Sequence, residues 1–147
     1  MDPLTVPATL ESIDPIVQYV LSAAATAGLD KKTAYRLRLA VDEIATNIIT
    51  YGYSGTGAAD TITIEYRITD AQVIIDLIDH GRAFDPLTSR PAPDELTKPL
   101  EARRIGGLGI FLAKSCVDDF RYERLKDTNH NTLVMNRVDR ADKDGDR

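Results

Sequence analysis

The segment Glu43-Ile44-Ala45-Thr46-Asn47 carries the most information in this sequence, because a carboxylate and an amide stand four residues apart within an apolar repeat. Leu37, Val41 and Ile48 continue that repeat at about 100° per residue, which predicts an amphipathic helix from about Asp30 to Tyr51. On such a helix Glu43 and Asn47 lie one turn apart and point the same way. Both flank the apolar stripe, which is where residues that line a cleft are found.

Glu43 and Asn47 also have side chains suited to metal binding and proton transfer. An amide oxygen is a hard ligand that suits Mg²⁺, an ion that keeps several waters and takes its other oxygens from phosphates. A nearby carboxylate can accept a proton from an attacking hydroxyl or water. A solvated Glu–Asn pair is the alternative, and only the blocks further along the chain favour the functional interpretation.

Three further blocks follow in order, namely Asp79-His80-Gly81, Gly106-Gly107-Leu108-Gly109 and Asn131-Thr132-Leu133. Asp79 closes a predicted strand, where its carboxylate can accept a hydrogen bond from the exocyclic amine of adenine, and Gly81 lets the backbone approach the ring. A strand-ending aspartate followed by a turn glycine is the alternative explanation.

The glycine-rich block opens a predicted helix, whose first N–H groups and dipole favour a phosphate. Arg103 and Arg104 lie just upstream and can reach phosphate oxygens, although a flexible hinge and solvated arginines remain alternatives. Thr132 either hydrogen-bonds toward a base or simply begins a strand. Each block is weak alone, but their order makes an ATP site the leading hypothesis.

The periodicities predict an α+β fold, a two-layer sandwich of a mixed, mainly antiparallel sheet with helices on one face. Residues Pro86 to Ile105 lack periodicity, and a loop of ~20 residues in a small domain is usually functional or mobile. The predicted strands are Leu4–Val6, Thr61–Ile68, Val73–Ile78, Phe120–Leu125 and Thr132–Val138; the predicted helices are one capped by Asp14 and ended by Gly28, Asp30–Tyr51 and Gly109–Val117.

Length and composition indicate one domain. The 147 residues are 43% hydrophobic, which is enough for a core without staples, and we expect a domain over residues 1–139 and a charged, frayed tail over 140–147. The net charge of −5 argues against a nucleic-acid binder. Without a signal segment or long apolar run, the expectation is a cytoplasmic protein that does not enter the membrane. The single cysteine, Cys116, is expected to be a core residue.

With these blocks in place, the chain resembles the Bergerat-fold ATPases, the histidine-kinase-like superfamily, over roughly Val6 to Val138. Within it, the chain is most similar to the bacterial anti-sigma factor serine kinases. The resemblance rests on three stretches: Leu39 to Asn47 with Tyr51-Gly52-Tyr53, Asp79 to Pro86 with its Phe-Asp-Pro ending, and Gly107 to Ile110 followed by Asp118-Asp119.

The resemblance implies a role for each matching residue. Asn47 would be the Mg²⁺ ligand, Glu43 the general base and Asp79 the residue that recognises adenine. Residues 86–105 would form the ATP lid. Ala83 stands where many relatives have a second glycine, which puts the conformation of the lid in doubt more than ATP binding. The other implied nucleotide-binding residues are Gly81, Ala83, Arg104, Gly107, Leu108, Gly109 and Thr132.

The implied activity is phosphorylation of a serine on a small anti-anti-sigma (STAS-type) partner, with capture of a sigma factor, often as a homodimer. One alternative is a nucleotide-binding module that regulates its partners by contact alone, against which the retained Glu43 argues. A stand-alone ATPase or detached histidine-kinase domain is the weakest alternative, because the sequence has no phospho-acceptor helix.

Overall fold

A five-stranded antiparallel sheet forms one layer of the part of the chain that the structure describes. The structure is a computed structural model that describes residues 2–52, 60–81, 83 and 113–137. The strand order is β1-β2-β3-β5-β4, and each neighbouring pair is antiparallel. The strands are β1 (Leu4–Pro7), β2 (Thr61–Ile68), β3 (Gln72–Asp79), β4 (Asp119–Leu125) and β5 (Thr128–Asn136).

Helices form the second layer of the described part of the chain, and residues 113–116 are helical within the predicted helix Gly109–Val117. A 3₁₀ turn (Leu10–Ser12) leads into α1 (Ile13–Thr26), and α2 (Lys31–Asn47) continues into a π-helical turn (Ile48–Gly52). α1 packs against α2 and contacts β1, β2 and β3, while α2 contacts β5. Within the described ranges, no helix combines the length and the apolar character needed to cross a membrane.

The core lies between the helices and one face of the sheet. Alternate residues of each strand face the helices, as the period-2 pattern of β2 and β3 requires. Cys116 is half-buried and packs against this core. The largest fully buried side chains are Ile16 and Val20 of α1, Leu37, Val41 and Ile44 of α2, and Ile62, Ile64, Ile75, Leu77, Leu133 and Met135 of the sheet. The predicted two-layer α+β fold is confirmed.

Three local predictions need correction. α1 begins at Ile13 rather than after Asp14, because the preceding 3₁₀ turn already gives Ser12 helical dihedrals. The parallel component expected of the sheet is not found among the described strands. β5 begins at Thr128, four residues before the predicted start at Thr132, because the hairpin from β4 turns at Lys126 and Asp127. Lys126 adopts a φ of 55° in that turn.

The helix ends follow ordinary capping chemistry. The Asp30 carboxylate accepts from the backbone N–H of Thr33 at 2.8 Å and so caps α2. Beyond the end of α1, Gly28 has a φ of 75°, its N–H donates to the Ala25 carbonyl, and Leu29 N–H donates to the Ala24 carbonyl. This pair of bonds is the Schellman motif, which requires the left-handed conformation at Gly28.

Replacing Gly28 tests this helix end. An added Cβ meets nothing within 4 Å, so Gly28→Ala brings only the backbone cost of a positive φ, about 1 kcal/mol. We expect the melting temperature to fall by about 2–4 °C. Gly28→Asn is the matched control, since asparagine tolerates this region better and should lose less. Equal melting temperatures for Gly28→Ala and wild type would contradict the assignment.

Candidate active site

The helix-facing side of the sheet changes from apolar to polar at one end. Directly opposite residues of paired antiparallel strands share a face. One such row crosses β2, β3, β5 and β4 through Ile62, Asp79, Asn129 and Arg124. We call Asp79, Asn129 and Arg124 the polar row. A core under helices does not need these side chains, so they are candidates for binding a ligand at this end of the sheet.

Asp79 is the acidic centre of the polar row. Its side chain is 1% exposed, and its Oδ1 accepts from Gly81 N–H at 2.8 Å and from Asn129 Nδ2 at 2.9 Å. Burial raises the pKa of the Asp79 carboxyl, and the two hydrogen bonds and the charges of Arg124 and His80 oppose this rise only in part. Among the described residues no hydrogen bond reaches Oδ2, which makes this oxygen a candidate acceptor for a ligand donor.

Asn129 and Arg124 connect Asp79 to the turn that follows β3. Asn129 Oδ1 accepts from the Tyr122 hydroxyl and from Arg124 Nη1, the latter at 3.1 Å. Arg124 Nη1 also donates to the Gly81 carbonyl at 2.8 Å, which Asn129 Nδ2 reaches at 3.3 Å. Gly81 is buried, and both its N–H and its carbonyl are hydrogen-bonded.

The last turn of α2 supplies Glu43 and Asn47. Asn47 Nδ2 donates to the Glu43 carbonyl at 2.7 Å, which leaves the amide oxygen pointing away from the helix backbone. Glu43 is half-buried. Partial burial, and secondly the charge of the neighbouring Asp42, raise the pKa of the Glu43 carboxyl. A carboxyl with a raised pKa is better matched to general-base work near neutral pH.

Two buried amide oxygens have no hydrogen-bond partner in the described part of the chain: Asn47 Oδ1 and Asn131 Oδ1. Their residues are 2% and 1% exposed. A buried polar atom without a partner costs about 1–3 kcal/mol, so such atoms call for a ligand. Asn131 faces the helices with Asn129, since it lies two residues further along β5 and opposite Leu77.

Asn47 Oδ1 fits the predicted role of a Mg²⁺ ligand. Mg²⁺ commonly takes one or two protein oxygens and fills its octahedron with phosphate oxygens and waters. The described ranges contain no group of three His, Cys, Asp or Glu side chains that could hold a metal. A single amide oxygen completed by nucleotide phosphates is therefore the kind of metal site that these residues permit.

The structure locates six of the predicted site residues. Glu43 and Asn47 lie together on α2, and Asp79 and Gly81 lie together at the end of β3. Ala83 is exposed just beyond them. The predictions for Arg104, Gly107, Leu108 and Gly109, and for the lid over residues 86–105, fall outside the described residues.

Thr132 does not join this group. It pairs with Asp76 across β3 and β5, and its hydroxyl donates to Asp76 Oδ1 at 2.6 Å. Asp76 and Asp79 are three residues apart on one strand, so they face opposite sides of the sheet. The structure thus brings Asn131, rather than Thr132, to the side that holds Asp79.

Three residues were missed by the sequence predictions, namely Tyr122, Arg124 and Asn129, and Asn131 was named within its block without a role of its own. The alternation along β5 contains the missing signal. Asn129, Asn131, Leu133 and Met135 share one parity and are all buried, which marks the two asparagines as polar residues on the core face. Starting the strand at Thr132 hid that pattern.

The comparisons with known proteins decide the family. The model of the histidine kinase-like ATPase domain matches residues 6–137. The chain belongs to this family. The match covers α1, α2, the second half of β1 and the strands β2 to β5, so the polar row and the end of α2 are parts of a histidine kinase-like ATPase domain. This family uses ATP, as its name states.

Curated relatives are serine-protein kinases. The chain is 33% identical over 100 residues to the serine-protein kinase RsbW of Listeria innocua, a match that covers 67% of this chain and 63% of that relative. It is 28% identical over 118 residues to the RsbW of Staphylococcus aureus, covering 79% of this chain and 74% of that relative. The predicted resemblance to the anti-sigma factor serine kinases is confirmed, although the chain spans less than two thirds of the Listeria relative.

Solved structures agree on the fold. The RsbU and RsbW domains of a Mycobacterium tuberculosis protein superpose with a TM-score of 0.59 at 17% identity, covering 95% of this chain and 34% of that chain. The histidine kinase domain of a blue-light activated kinase from Erythrobacter litoralis superposes with a TM-score of 0.53 at 14% identity, covering 85% and 59%. At these identities the likeness concerns the fold alone.

The pH dependence of stability tests the burial of Asp79. Because the folded state raises the Asp79 pKa, the folded protein holds that proton to a higher pH than the unfolded chain does. The free energy of unfolding therefore falls as pH rises above about 4. Asp79→Asn removes this titration. The melting temperature of the variant relative to that of the wild type should therefore rise between about pH 4.5 and pH 8.

The control for this experiment is Asp70→Asn, a change at an exposed turn residue whose melting-temperature difference from wild type should not vary in this way. A constant difference for Asp79→Asn, or one that moves in the opposite direction, would contradict the proposed cost of the buried carboxylate.

Proposed function

We propose that this chain is an ATP-binding protein serine kinase that phosphorylates a serine on a small anti-anti-sigma (STAS-type) partner and regulates a sigma factor by capturing it. The names of the curated relatives support a serine kinase. The observation that carries the proposal concerns two residues one turn apart on α2: Glu43 is half-buried, and the Asn47 amide oxygen has no hydrogen-bond partner among the described residues. In the same domain, the buried carboxylate of Asp79 lies at one end of the sheet.

In this proposal Asp79 is the residue of the polar row that binds the base. Asp79 Oδ2 accepts from the exocyclic amine of adenine, and the Asn131 amide lies on the same face to meet the ring directly or through a water. Gly81 lines the base pocket, with Ala83 beside it. The glycines at 107 and 109, with Leu108 and Arg104, are proposed to contact the phosphates.

Asn47 and Glu43 act at the other end of the nucleotide. Asn47 Oδ1 is the protein ligand of a Mg²⁺ ion, which when bound would neutralise phosphate charge. Glu43 accepts the proton of the partner's serine hydroxyl while that oxygen forms a bond to the γ-phosphorus and the bond to the leaving ADP oxygen breaks. The raised pKa of Glu43 makes it a stronger base for this step than an exposed glutamate.

The retained base favours the kinase over the alternative of a regulatory module that only binds nucleotide. A protein that regulates by contact alone has no need of a carboxylate with a raised pKa next to a metal ligand. The curated relatives are also named as kinases. Homodimer formation and a cytoplasmic location remain parts of this proposal.

Two variants separate binding from chemistry. Glu43→Gln removes the base but keeps the shape, so phosphate transfer to a recombinant anti-anti-sigma protein should fall about 10²–10⁴-fold while the ADP dissociation constant stays near that of the wild type. Asn47→Ala should abolish transfer and also remove the Mg²⁺ dependence of nucleotide binding. Radiolabelled transfer from ATP and calorimetric titration with ADP measure the two effects.

A matched control is Glu123→Gln, which changes an exposed glutamate on β4 and should leave both measurements unchanged. If Glu43→Gln transfers phosphate at the wild-type rate, Glu43 is not the base. If the wild type binds nucleotide but never phosphorylates a partner whose serine is intact, the regulatory module replaces the kinase.

A further inference from the structure

Asn129 occupies the centre of the polar row and is 3% exposed. It lies opposite Asp79 on one side and opposite Arg124 on the other. A buried asparagine can offer two donors and one acceptor to its surroundings. The neighbours on each side therefore determine which end of the amide faces which strand.

The β4 side fixes the orientation of the Asn129 amide. Arg124 Nη1 reaches Asn129 Oδ1 at 3.1 Å, and the Tyr122 hydroxyl reaches the same oxygen. A guanidinium can only donate, so the amide oxygen must face β4. The amide nitrogen must then face β3, where it donates to Asp79 Oδ1 at 2.9 Å and to the Gly81 carbonyl at 3.3 Å.

The β3 side fixes the carboxylate in turn. Asp79 Oδ1 receives Asn129 Nδ2 and Gly81 N–H, so one carboxylate oxygen is held by two donors from different segments. Rotation of the carboxylate would break both bonds. The other oxygen, Oδ2, is thereby kept in one direction for a ligand.

We propose that Asn129, oriented by Tyr122 and Arg124, is a positioning residue that holds the Asp79 carboxylate for the exocyclic amine of adenine and so sets the preference of the site for that amine. This inference rests on the proposed function, because it needs Asp79 to recognise adenine. The hydrogen bonds run from β4 through β5 to β3, so β4 and β5 also contribute to recognition of the base. Asn129 does not touch the base and acts only through Asp79.

The test compares ATP with purine riboside triphosphate, which lacks the exocyclic amine. The wild type should bind ATP about 10- to 100-fold more tightly, as expected of one hydrogen bond to a charged acceptor. Asn129→Ala should lose most of that preference, because a carboxylate free to rotate no longer presents Oδ2 to the amine. Its affinity for purine riboside triphosphate should change little. His130→Gln, the next residue of β5 and on the opposite face, is the matched control and should keep the full preference.

A second variant keeps the test open if Asn129→Ala does not fold. Asn129→Ser keeps a hydroxyl for Tyr122 and Arg124, whereas its shorter side chain removes the Nδ2 donor to Asp79. The ratio of the two dissociation constants should fall in this variant as well. An unchanged ratio in whichever variant folds would overturn the inference.

The outcomes separate this inference from the proposed function. A wild type that binds both nucleotides equally well would refute recognition of adenine by Asp79, and the inference with it. A wild type that prefers ATP, with an Asn129→Ala variant that keeps the preference, would overturn the inference alone. Equal weakening for both nucleotides would assign Asn129 a merely structural role and would also overturn it.

Discussion

The buried carboxylate of Asp79 is the constraint on which the rest of this site depends. An ionised carboxylate inside a protein must be hydrogen-bonded or paired, and Asp79 lies at the end of the strand whose other helix-facing residues, Val73, Ile75 and Leu77, are fully buried. Asn129 and Gly81 supply the two donors. The antiparallel register of β3 and β5 is what places Asn129 there, so the fold of the sheet and the chemistry of the site are one arrangement.

The apolar stripe of α2 determines how this helix contributes to the site. Its apolar stripe fixes the helix over the strands, and the residues at the border of the stripe consequently reach the cleft. Asn47 uses its amide nitrogen within the helix and keeps its oxygen without a partner in the described part of the chain. A folded protein tolerates such an unsatisfied atom when a ligand satisfies it in the working state.

Much of this arrangement could be predicted from the sequence, because it follows from the local spacing of apolar residues. The pattern of α2 gave the positions of Glu43 and Asn47, and the alternation of β2 and β3 gave the end of the strand at Asp79. The site beyond β3 could not be predicted in the same way. Leu133, Val134 and Met135 form a continuous apolar run, which obscures in the sequence the alternation that begins at Asn129.

Without that alternation, Thr132 was predicted to support the adenine side, and Asn129 lay between two predicted strands. The contact between Asn129 and Asp79 joins residues 50 positions apart. Such a contact depends on the register of the strands, which a single sequence specifies only through its buried face.

The most direct test of the central claim is the melting temperature of the wild-type protein with ADP and Mg²⁺, with ADP alone, with Mg²⁺ alone and with GDP and Mg²⁺. A ligand at about 100 times its dissociation constant adds about 2.7 kcal/mol, which is about 5–10 °C for a domain of this size. We predict a shift of this size with ADP and Mg²⁺, a smaller one without the metal and little with GDP. A folded protein that shows no shift, or the same shift with GDP, would contradict the assignment of the polar row and Asn47 to an adenine nucleotide.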